Sequence, residues 1–131
     1  MKIAIATDDG RTVSTHFGRA RSYAVLTVED GAIVGRELRS KFAPHLLGDP
    51  EPEHSPGQPH GTDPASQMRH DQMAAAIADC QVLIAGGMGR GAYERFRSLG
   101  IRPIVTELPD VDAAALASAA GTLVDHTEQL H

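Results

Sequence analysis

The chain of 131 residues has one cysteine, Cys80, and no tryptophan. A single thiol excludes an intrachain disulfide and suits a reducing, cytoplasmic setting. Aromatic residues make up only 4% of the sequence, too few to build the stacking platforms that hold single-stranded nucleic acid. Seventeen acidic side chains outnumber twelve Lys and Arg, giving a formal charge of −5. That balance argues against a phosphate-backbone partner, which needs clustered cations. No apolar run approaches the roughly 18 residues of a membrane helix. The short apolar stretch after Lys2 gives way to Asp8-Asp9-Gly10 before a secretory signal core could form. There is no internal repeat.

What is present is ordinary globular material, 41% hydrophobic and 22% charged, enough for one domain over residues 1–131 with a buried core. Residues 2–7 are apolar on both faces and end in a turn, the pattern of a buried central strand. Two extended stretches, 22–28 and 32–38, flank Glu29-Asp30-Gly31, and Asp-Gly between such runs predicts a hairpin. The segment from about 40 to 62 then holds five prolines and His45, His54 and His60, with neither helical nor alternating period, and reads as a long loop. Asp63-Pro64 resembles an N-cap and first helical position. A helix to about residue 79 follows, with Met73, Ala76, Ile77 and Cys80 on one face.

A strand over 81–85 runs into Gly86-Gly87-Met88-Gly89-Arg90-Gly91 and a helix over 92–99 closed by Gly100. A strand over 101–106 and an Ala-rich helix from Asp110 or Asp112 to about 120 follow. Residues 121–131 read as a polar tail. A hairpin in the first half and βαβ crossovers in the second predict a mixed five-stranded sheet with helices on both faces, an α/β fold. In that topology Asp8-Asp9, His16-Phe17-Gly18-Arg19, the His-rich loop, the start of the first helix and the glycine turn all reach the carboxyl edge of the sheet. Ligands of open α/β sheets bind along that edge.

His16 sits between a turn and a strand, where a neutral imidazole suits iron or zinc, or is simply a solvated loop residue. His45, His54 and His60 lack the tight spacing of zinc sites, although His60 lies just before a helix. His70 shares a face with Met73, Ala74 and Ile77 and reads as partly buried. Cys80 reads as a small buried hydrophobe. The turn from Gly86 to Gly91 opens a helix, so its amides could cradle an anion, with Met88 adding a soft thioether. It is neither a Walker motif nor a dinucleotide fingerprint. The alternative is a tight turn that needs glycine for positive φ. Arg19, Arg21 and Arg90 would face the same rim, either offsetting an anion or simply solvated.

STHFGRARSYAVLTVEDG and CQVLIAGGMGRGAYERFRSLGI, with PHG between them, together resemble the dinitrogenase iron–molybdenum cofactor biosynthesis family over about residues 1–120. The resemblance implies a ribonuclease H-like motif, a three-layer α/β/α fold with a mixed five-stranded sheet. It also implies a nitrogenase accessory role in the cytoplasm: binding, carrying or chaperoning an iron–sulfur or iron–molybdenum cluster as cargo. By position, His16 and His60 are implied metal ligands. Phe17, Gly18, Arg19, Gly86, Gly87, Met88, Gly89, Arg90 and Gly91 are implied cofactor contacts. Cluster donor or acceptor proteins would be the partners, with no nucleic acid or membrane, and the purified form could be empty. The long proline-rich stretch departs from the family, so His45 and His54 are not carried over.

Three functions compete. The first is a non-enzymatic cluster carrier. The second is a metal-dependent nuclease or phosphotransfer protein, which needs several carboxylates gathered at the rim, and the fourth strand supplies none. The third is a regulatory or interaction domain that binds a small anion without metal.

Overall fold

The computed structural model describes residues 1–41 and 64–130. The elements in order are β1 (Lys2–Thr7), β2 (Ser22–Glu29), β3 (Ala32–Ser40), α1 (Pro64–Ala75), β4 (Val82–Ala85), α2 (Arg90–Ser98), β5 (Arg102–Val105) and α3 (Val111–Ala120). They form one mixed sheet in the order β3-β2-β1-β4-β5, antiparallel across the first three strands and parallel across β1, β4 and β5. The expected α/β class and five-stranded mixed sheet are therefore present.

β1 lies in the centre because it is apolar on both faces, and Ile3, Ala4, Ile5 and Ala6 are fully buried. Its alternation splits the core in two. Ala4 and Ala6, with Tyr23, Val25 and Leu83, pack under Met73 and Ile77 of the α1 region and Phe96 of α2. Ile3 and Ile5, with Leu26, Ile84 and Ile104, pack under Val111, Ala114 and Ala115 of α3. Helices thus cover both faces, and each large aliphatic side chain so buried contributes about 1.5–3 kcal/mol. The β2–β3 hairpin turns on Asp30 and Gly31, both at positive φ, as a two-residue type I′ turn requires.

Two expectations about where elements end fail. The helix from Pro64 stops at Ala75 rather than near 79, because Ile77 and Cys80 donate to the carbonyls three residues back and tighten the chain into turns. Residues 121–130 are no free tail. Asp125 accepts from Val105 N (2.9 Å) and from the Tyr93 hydroxyl (2.6 Å), and a 3-10 turn follows over Thr127–Gln129. The edge of β5 leaves backbone groups that need partners, and this segment supplies them.

Candidate functional site at the carboxyl rim

β1 delivers Asp8 and Asp9 to the carboxyl edge of the sheet, where both carboxylates build structure. Asp9 Oδ1 accepts from the amides of Arg11 and Thr12, each at 2.8 Å, and these bonds bring its pKa down to about 2. Asp8 Oδ1 accepts from Arg21 N at 2.9 Å. The chain then doubles back beside β1, with Ser14 N donating to Ala6 O at 2.8 Å, and crosses the end of β4.

Here the HFGR loop and the glycine turn lock together. Gly86 N donates to Ser14 O at 2.7 Å, and Phe17 N donates to Gly87 O at 2.8 Å. A Cβ on Gly86 would stand 2.9 Å from Ser14 O, and one on Gly87 only 2.3 Å from Thr15 O. The glycines are therefore required by close approach of two backbones. Positive φ, the alternative reason, does not apply, since neither glycine has it. Gly89 then caps α2, and no acceptor among the described residues takes the amides of Gly89, Arg90 or Gly91. Helix starts present such amides outward with the positive end of the dipole.

Lys41 closes the site from the β3 side. Its side chain is 1% exposed, and its ammonium donates to Phe17 O and to Ala20 O (3.1 Å) while standing 4.2 Å above the Phe17 ring. Burial, aided by Arg69, pushes its pKa down to about 8. Sequence reasoning missed this residue, because a lysine ending a strand reads as a solvated charge. The 3-10 turn it fastens, Phe17–Arg19, was missed as well.

Of the expected site residues, His16, Gly18, Arg19 and Arg90 are exposed at this lip, with Gly89 and Gly91 beside them. Two side chains must be reassigned. Phe17, 2% exposed, packs edge-on against Phe96, and Met88, 1% exposed, is part of the same core cluster, so neither offers its side chain to a ligand. His60, like His45 and His54, lies outside the described residues. His70 is half-buried with Nδ1 lacking a partner among the described residues, and burial lowers its pKa. Cys80 is buried as expected, which pushes its thiol up to about 11. Arg19, Arg21 and Arg90 make no ion pair among the described residues.

No group of three or more His, Cys, Asp or Glu converges to hold a metal ion among the described residues. His16 is an exposed imidazole at the lip. A cavity of about 440 Å³ lies elsewhere, between α2 and the outer edge of β5, lined by Tyr93, Arg97, Ile101, Arg102 and Asp125 and sharing no residue with the lip. No helix among the described residues is long and apolar enough to cross a membrane.

A family profile described as "Dinitrogenase iron-molybdenum cofactor" matches residues 1–121. The chain belongs to the dinitrogenase iron–molybdenum cofactor family. Among solved structures, the protein PH0822 is 25% identical, with a TM-score of 0.63 over 98% of this chain and 97% of that one. A candidate dinitrogenase from Methanocaldococcus jannaschii is 15% identical, with a TM-score of 0.61 over 95% and 93%. The apo orange protein from Desulfovibrio gigas is 20% identical, with a TM-score of 0.63 over 95% and 91%. These likenesses establish that this family member shares their fold. No curated protein matches the chain.

Proposed function

We propose that this protein is a non-enzymatic carrier or chaperone for an anionic metal–sulfur cluster, of the kind that serves as a precursor to the iron–molybdenum cofactor. The observation that carries this reading is the backbone lock of Gly86 and Gly87 on Ser14, Thr15 and Phe17, which joins the loop carrying the exposed residue His16 to the turn that opens α2. His16 would ligate an iron of the cargo. The amides of Gly89–Gly91, with Arg19 and Arg90, would balance its negative charge. His60 is proposed as a second ligand on the family resemblance, and cluster donor or acceptor proteins as partners. The absence of an enzymatic role is supported by the use of Asp8 and Asp9 as turn acceptors, which leaves that pair committed to the backbone.

The test is an anaerobic titration of the full chain with a preformed iron–sulfur cluster, followed by visible absorbance. A saturable spectral change is expected, lost in His16→Ala and weakened in Arg90→Ala. A response unaltered by both variants would overturn the reading.

The arginine-lined cavity favours a second reading, binding of a small anion without metal. Calorimetric binding of inorganic phosphate that is lost in Arg97→Ala and Arg102→Ala, with no cluster uptake, would select it.

A further inference from the structure

The cavity between α2 and β5 is cationic in an otherwise acidic chain. Arg95 of α2 is paired, its Nε donating to Asp71 at 2.7 Å. Arg97, two residues on, and Arg102, which opens β5, line the cavity without an ion pair among the described residues. The Asp125 carboxylate beside them is already engaged. Its Oδ1 accepts from Val105 N at 2.9 Å and its Oδ2 from the Tyr93 hydroxyl at 2.6 Å. One carboxylate against two guanidiniums leaves the lining positive, in a chain whose formal charge is −5.

The walls differ from the opening. Tyr93 is 8% exposed and Ile101 4%, and Pro103 is buried and has no amide to donate. Arg97 and Arg102 are exposed, and the Arg97 guanidinium stands 5.9 Å from the centroid of the Tyr93 ring, a cation over a π face. An apolar body therefore has a wall to lie against, and an oxyanion has two guanidiniums near the surface. The planar fork of arginine matches the oxygens of phosphate and carboxylate. A cavity of about 440 Å³ has room for roughly fifteen water-sized volumes. That is the scale of a small molecule, not of a peptide or a nucleic-acid strand.

We propose that this cavity binds a small organic oxyanion, an apolar body that carries one phosphate or carboxylate group. The oxyanion sits on Arg97 and Arg102, and the body lies against Tyr93 and Pro103. The proposal rests on the anion-binding reading of the cavity, and adds to it the apolar half of the ligand and its orientation. It does not depend on what the lip holds, since cavity and lip share no residue. An inorganic anion satisfies the arginines but leaves the apolar walls in water. An attached body removes that water, and affinity rises with the apolar area covered.

Calorimetric titration of the full chain with two matched pairs of probes tests this: inorganic phosphate against phenyl phosphate, and acetate against phenylacetate. In at least one pair the phenyl compound should bind about tenfold tighter or more, and the tighter pair identifies the oxyanion. Amide chemical shifts on binding should move at residues 97–103 and at Asp125. Arg97→Ala and Arg102→Ala should each weaken the phenyl compound about tenfold or more, whereas Arg11→Ala, an exposed arginine outside the cavity, should not. Circular dichroism reports folding of each variant. Phosphate or acetate binding that is lost in the arginine variants, with no gain from the phenyl group, would overturn the proposal and leave the anion reading standing. No binding of any probe, or binding that survives both arginine variants, would overturn both.

Discussion

Gly87 shows how one missing atom sets the rim. Gly87→Ala must push the Thr15 carbonyl away and shift the His16 loop, and overpacking of that kind costs roughly 1–3 kcal/mol. Gly18→Ala meets nothing within 4 Å and should be near neutral. Urea unfolding of the two variants checks the contrast. Lys41 carries a pH signature at the same scale. Its folded pKa of about 8 lies below the ordinary 10.5, so between those values the unfolded chain binds more protons than the folded one. Its contribution therefore rises with pH across that window and is lost as pH falls through 8. Cys80, raised from 9.0 to about 11, acts in the opposite direction above pH 9. The prediction is accordingly a difference: from pH 8 to 9 the stability of wild type should climb relative to Lys41→Met, measured by denaturant melts at each pH.

At the scale of elements, local signals and distant partners divide the work. The Asp110 side chain accepts from Ala113 N at 2.8 Å, the N-cap expected from sequence. Asp110→Ala should cost about 1 kcal/mol without altering the lip, a loss that thermal unfolding would register. The strands were legible because period and punctuation agree: apolar β1 before Asp-Asp-Gly, then two runs about an Asp-Gly turn. The end of the first helix was not legible, since residues 76–79 contain no glycine or proline to mark it. The docking of residues 122–130 was hidden too, because the partner of Asp125 is a strand edge some twenty residues earlier in the chain.

The whole molecule is stapled by a charge cluster that no element contains alone. Arg39 on β3 holds Asp79 with two bonds (2.7 and 2.9 Å), Lys2 on β1 holds the same carboxylate at 3.0 Å, and Arg39 also donates to Ala76 O at 3.0 Å. Arg39 and then Lys2 draw the Asp79 pKa well below the usual carboxylate range. A carboxylate depressed on folding contributes stability that is present above its unfolded value near 3.8 and is lost as pH falls below it. Asp79→Asn should therefore lower stability at neutral pH and flatten the acid limb below pH 4, and added salt should shrink the difference. Unfolding followed from pH 2 to 7 at two ionic strengths would show both effects.

The sequence by itself determined the α/β class, a mixed five-stranded sheet built from a hairpin and two crossovers, and the arrival of His16 and the glycine turn at one lip. Those features depend on local period, turn chemistry and the handedness of crossovers, all of which are written along the chain. Only the tertiary structure decided that Phe17 and Met88 face the core, that Gly86 and Gly87 are glycines because Ser14 and Thr15 pass within contact, and that Lys41 is buried beneath the HFGR turn. Each of these depends on which atoms occupy the space beside a residue, and that space is filled by segments dozens of positions away.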